Sequence, residues 1–173
     1  VIDFHGRAPL SVRPEQWESL IERESDDGFG FILKGRINEV GYTSMTTPLT
    51  IKAFAEGLAS FGSRSLAELM QPAIEYCEQG FMVRPFVHNF WNLPPTAGRI
   101  GRREAMTSQP ATARIYAKAD GSLYDVGETL KNPDMGRTYR RIAEAGVEDF
   151  YTGEIAHAID ADMRANGGHI TLE

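Results

Sequence analysis

The chain has 173 residues, 42% of them apolar and 10% aromatic, which is enough for one domain with a core and too apolar for a disordered or low-complexity protein. A formal charge of −6, with Lys and Arg scattered rather than clustered, gives no footprint for nucleic acid or an anionic membrane. Cys77 is the single cysteine, so an intrachain disulfide and a cysteine-rich metal site are both excluded.

Val1 to Phe4 suit a buried strand; they lack the basic region and long apolar stretch of a signal peptide. Pro14 is placed to open a short helix through Trp17, Leu20 and Ile21, and Phe29 to Leu33 reads as a second strand. Thr47-Pro48 is a cap and first-turn pair for a helix with Ile51, Phe54, Leu58 and Phe61 on one buried face, stopped by Gly62. Ser65-Leu66-Ala67-Glu68 is a capping box that opens another helix, with Leu66, Leu69, Met70, Ala73 and Cys77 on one stripe and Gly80 as its stop. Pro72 inside that pattern predicts a kink or a restart. Phe81 to Thr112, rich in Pro, Gly and aromatics without a sustained period, reads as an ordered loop that wraps a partner surface. Arg114 to Lys118 and Ser122 to Val126 flank Asp120-Gly121 as a hairpin, and helices over 137–145 and 154–165 complete the chain before Gly146 and Gly167. No run approaches the roughly 20 apolar residues that cross a bilayer, so no membrane partner is expected.

Several polar groups invite a chemical reading and are better explained by structure. The hydroxyls of Tyr42 to Thr47 precede a helix, where Ser and Thr mostly cap. Glu154, His157 and Asp160 stand at helical spacing but lie opposite the Ile155, Ile159 and Met163 stripe, as a solvated face rather than a metal site. His88 and His169 are expected in loops, and Cys77 on an apolar stripe is inert core rather than a nucleophile. No Gly-x-Ser-x-Gly elbow, phosphate loop or dinucleotide fingerprint occurs. No metal and no cofactor is expected.

Four motifs stand in a specific order. Asp3-Phe4-x-x-x-Ala8-Pro9 comes first and Pro72-Ala73-Ile74-Glu75 is central. Val126 to Gly146 follows, and Phe150-Tyr151-x-Gly153-Glu154-Ile155-Ala156 runs on to Gly167-Gly168-His169-Ile170-Thr171. Over 1–9, 41–83 and 126–171 the chain resembles the large subunit of the gamma-glutamyltransferase family. That resemblance implies an α+β fold, the four-layer αββα sandwich of the N-terminal-nucleophile hydrolases, of which this chain is a mainly helical part. It implies that residues 1–173 are a single-domain fragment of the large subunit, completed by an N-terminal part and by a small subunit. The small subunit carries the catalytic N-terminal Thr, released by autocleavage, so no catalytic residue is expected within this chain. A heterodimer or a dimer of heterodimers follows; the compartment stays open between cytoplasm and periplasm, with the cytoplasm preferred.

The resemblance touches substrate at residues 3–9. Relatives commonly read Asp-Phe-Arg-Glu-x-Ala-Pro, with the Arg on the substrate's alpha-carboxylate; here His5 and Gly6 stand at the Arg and Glu positions. A neutral imidazole does not replace a planar, permanently charged guanidinium that grips a carboxylate bidentately. Arg7 follows two residues later, and in an extended chain His5 and Arg7 project to the same side. Arg7 and His5 are therefore the candidate substrate-binding residues, in an amidohydrolase or acylase branch that takes a small acidic (oxamate-like) amide or an acyl amide. A true gamma-glutamyl hydrolase or transpeptidase is the alternative, and a non-catalytic helical scaffold a further one.

Overall fold

The computed structural model describes residues 1–172. They group into two compact units, one built from 1–11, 45–80 and 131–172, the other from 12–44 and 81–130.

The first unit is helical. Helix α1 spans Thr50–Phe61 and α2 spans Leu66–Gln79. Ser65 caps α2 with the expected reciprocal box: its hydroxyl accepts from the Glu68 amide, and the Glu68 carboxylate accepts from the Ser65 amide at 2.8 Å. Pro72 lies inside α2 without ending it, because the box before it and the buried Ile74 after it hold both halves in one helix. Helix α6 spans Pro133–Ala145, opened by the Asn132 side chain, which accepts from the Met135 amide. It packs along α2. Ile74 and Ile142 are both 1% exposed there, and Gly136 allows the close approach: a Cβ at that position would lie 3.3 Å from the Cys77 Cβ and 3.0 Å from Glu78 Cγ. Arg140 closes the crossing with an ion pair to Glu78 at 2.6 Å.

A short helix, α7, occupies Glu148–Tyr151, and α8 spans Glu154–Ala165. Asp149 joins three elements. Its carboxylate accepts two bonds from the Arg141 guanidinium, at 2.6 and 2.9 Å, and one from the Glu154 amide at the start of α8. The Arg141 bond is the main reason that its carboxyl is held below the usual range. Gly153 is dictated by the same turn, since a Cβ there would sit 2.8 Å from the Asp149 Cα.

In the second unit, strand β1 (Ile21–Glu24) pairs antiparallel with β2 (Phe31–Leu33), and β3 (Phe81–Met82) pairs antiparallel with β4 (Thr129–Leu130). The buried cluster of this unit is Val83, Trp91, Leu123 and Leu130, with the Trp91 and Tyr116 rings edge to face at 5.8 Å.

Four expectations are corrected. Residues 1–4 form no strand and stay exposed, because the described residues offer their edge no ladder. The 14–20 segment is a 3₁₀ helix, and Ile21 already belongs to β1. The Phe81 to Thr112 stretch holds three short helices, α3 (Pro85–Trp91), α4 (Arg102–Thr107) and α5 (Pro110–Tyr116), so His88 lies in a helix rather than a loop. Pro85 and Pro110 at the first turns were the signal for two of them. The Asp120-Gly121 hairpin shrinks to a turn closed by one bridge, Ala117 to Leu123, since α5 already uses Arg114 to Tyr116.

The apolar faces of α1 and α2 are the other departure. Periodicity places Phe54 and Phe61 inside, yet they are 56% and 88% exposed. Ile51, Phe54, Leu58, Leu66, Met70 and Tyr139 line an open cleft of about 490 Å3. Cys77 lies between this stripe and α6, where burial, followed by the neighbouring Glu78 charge, pushes its thiol up. Iodoacetamide at pH 7 is expected to label native Cys77 at least about tenfold more slowly than the unfolded chain; equal rates would put the thiol on the surface. Among the described residues no helix is long and apolar enough to cross a membrane, and no group of three or more His, Cys, Asp or Glu is placed to hold a metal ion.

Candidate substrate-binding segment

Residues 3–7 run past the entry to α1. Asp3 Oδ1 accepts from the His5 amide at 3.1 Å, fixing a tight bend. His5 Nδ1 lies 3.3 Å from the Gly6 carbonyl, and since a carbonyl only accepts, Nδ1 carries the hydrogen and Nε2 is left for another partner. Gly6 abuts the Thr46 side chain so closely that a Cβ would stand 2.8 Å from the Thr46 Cβ and collide with its hydroxyl. Any side chain at this position would displace Thr46. The Gly6 and Thr46 pair is therefore one steric unit, invisible when the motif is read by itself.

Arg7 is anchored by its backbone. Its carbonyl accepts from the Thr47 amide at 2.9 Å, in an antiparallel bridge. Its side chain is exposed and makes no ion pair among the described residues, unlike Arg140, Arg141 and Arg164, each of which holds a carboxylate. His5 and Arg7 thus share one exposed segment, of which Arg7 forms the backbone bridge to Thr47.

Thr47 does not cap α1. Its amide is engaged with Arg7, the residue before the helix is Leu49, and no side chain of that residue caps the first turn. The acceptor comes from Tyr151, whose hydroxyl accepts from the Lys52 amide at 3.0 Å and donates to the Pro48 carbonyl at 3.0 Å. Lys52 is the third residue of α1, so its amide is one of the four donors that a helix start leaves without partners. The Lys52 ammonium lies 5.9 Å from the Tyr151 ring centroid. Asp3, Phe4, Leu49, Lys52 and Glu56 line a shallow cleft of about 190 Å3 beside the motif. Lys52 and Tyr151 were not among the sequence candidates, because no local pattern joins residue 151 to residue 52.

The other polar groups stay where the sequence puts them. His157 is exposed on α8, and Asp160 is bound by Arg164 at 2.9 Å and by the Leu172 amide.

This architecture is a helix-rich part of the αββα fold of the N-terminal-nucleophile hydrolases. Gamma-glutamyltranspeptidase from Helicobacter pylori superposes with a TM-score of 0.79 at 24% identity, over 98% of this chain and 44% of that one. Cephalosporin acylase from Bacillus halodurans superposes with a TM-score of 0.70 at 26% identity, over 98% of this chain and 29% of that one. The gamma-glutamyltranspeptidase family model matches residues 1–173, and the chain belongs to that family. It is 32% identical to the acylase ACY 1 proenzyme of Pseudomonas sp. strain SE83 over 98% of its length. It is 31% identical to the glutathione hydrolase proenzyme of Escherichia coli strain K12 over 99% of its length. It spans 28% and 27%, respectively, of those two relatives.

Proposed function

We propose that this chain is the substrate-facing part of the large subunit of an amide hydrolase in the acylase branch of its family, acting on a small acidic amide. The observation that carries the reading is Arg7: a cation with a fixed backbone, an exposed side chain and no carboxylate among the described residues to neutralise it. A guanidinium held this way suits a planar carboxylate, which it meets with two parallel bonds. His5 lies two residues before it with Nε2 left over, suited to accept a hydrogen bond from the amide N–H of the same ligand.

The reaction takes its remaining parts from elsewhere. A small subunit with an N-terminal Thr, generated by autocleavage of a precursor, supplies the nucleophile. Its hydroxyl attacks the amide carbonyl while its own alpha-amine takes the proton and backbone amides hold the oxyanion; the amine leaves with that proton, and water then hydrolyses the acyl ester and frees the Thr. Relatives named as acylase proenzymes and as glutathione hydrolase proenzymes support a processed hydrolase in general terms. His5 and Gly6 in place of Arg and Glu support the acylase side. Turnover of three amides of matched leaving group by the full-length protein tests this: an oxamate-like acidic amide, a gamma-glutamyl amide and a neutral acyl amide. The acidic amide is expected to have the highest kcat/KM; a clear preference for the gamma-glutamyl amide would assign the chain to the transpeptidase side.

A further inference from the structure

We infer that Tyr151 is a positioning residue for the Arg7 segment, acting through Pro48 and Thr47. The proposal rests on the reading of Arg7 as the anion ligand, and it names what holds that ligand in place. The linkage is continuous. Tyr151 Oη donates to the Pro48 carbonyl at 3.0 Å, and the next residue back, Thr47, donates its amide to the Arg7 carbonyl at 2.9 Å. The same Oη accepts from the Lys52 amide, so one hydroxyl ties both the segment entering α1 and its first turn. No capping side chain at Leu49 duplicates that role.

The hydroxyl is itself well held. The Phe150 and Tyr151 rings meet edge to face at 5.1 Å, and Asp149, two residues before Tyr151, is clamped by Arg141 on α6. Burial raises the Tyr151 hydroxyl above its ordinary value, in keeping with its role as donor to the Pro48 carbonyl. Gly6 has no room to adjust independently, since it already abuts Thr46. A shift of the 46–48 segment therefore moves the Arg7 backbone with it.

Tyr151→Phe in the full-length protein removes the hydroxyl and keeps the ring. Hydrogen exchange is expected to rise about tenfold or more in a peptide covering residues 45–53, and to stay unchanged in one covering 137–145 on α6. kcat/KM for the acidic amide is expected to fall about tenfold, mostly through KM, with no further loss when Tyr151→Phe is added to Arg7→Ala. Unchanged exchange over 45–53, an equal rise in both peptides, or fully additive losses would overturn the proposal. If Arg7→Ala alone leaves turnover untouched while the exchange pattern follows expectation, the Arg7 reading falls and the hold of Tyr151 on the segment stands.

Discussion

Arg7→Ala is expected to lower kcat/KM for a short acidic amide by about 30- to 1000-fold, the equivalent of about 2–4 kcal/mol for a lost charge-assisted bidentate contact. A neutral acyl amide of the same length is expected to lose less than about threefold, because the interaction removed is with the carboxylate and not with the reacting carbonyl. The fold should be unaffected. Arg7 holds its neighbour through its carbonyl, which alanine retains, and its side chain contributes no ion pair among the described residues. Equal losses on the two substrates would make Arg7 a structural residue. Collapse of turnover in His5→Ala alone, with Arg7→Ala silent, would move the anion site to His5.

Ile142→Ala is expected to cost about 2–5 kcal/mol of stability, the range for emptying a fully buried aliphatic site. Ile142 is 1% exposed on the face that α6 turns to α2, and the approach at Gly136 leaves little slack for the helices to collapse into the void. The shift in urea midpoint at unchanged slope measures it. A change below about 0.5 kcal/mol, the range for an ordinary surface position, would mean that the α2 and α6 crossing is not the core of this unit.

The contrast between these two residues marks what the sequence discloses. The α2 helix was legible to the residue at its start, since a capping box is a signal within four positions: Ser65 and Glu68 do what their spacing says. The stops at Gly62, Gly80 and Gly146 were legible for the same local reason. The start of α1 was not. Thr47 has the right chemistry for a cap, but the helix begins at Thr50 with Leu49 at the cap position, and the acceptor comes from Tyr151 far along the chain. Tertiary contacts of that span leave no mark in a window of sequence. Periodicity likewise names an apolar face without saying what meets it: Ile51, Phe54 and Leu58 line an open cleft, and Phe61 of the same face is left 88% exposed.

At the candidate site the motif itself was legible, because Asp3-Phe4 and Ala8-Pro9 frame three positions, two of which, His5 and Gly6, differ from the usual pattern. Why Gly6 fits was not, since the reason is the Thr46 side chain. The Phe-Tyr-x-Gly turn now has a physical account in two parts. Tyr151 caps α1, and Gly153 lets Asp149 reach the first amide of α8. Both roles are structural, and through Tyr151 the motif still reaches the candidate site.

The most direct measurement is the intact mass and N-terminal sequence of the purified full-length protein, paired with its amidase activity. The account predicts two chains from one precursor, the smaller one beginning with Thr, with hydrolysis of the acidic amide appearing as the cleaved form accumulates. A single uncut chain that hydrolyses amides at full rate, or a cleaved protein whose new N-terminus is not a nucleophilic residue, would contradict it.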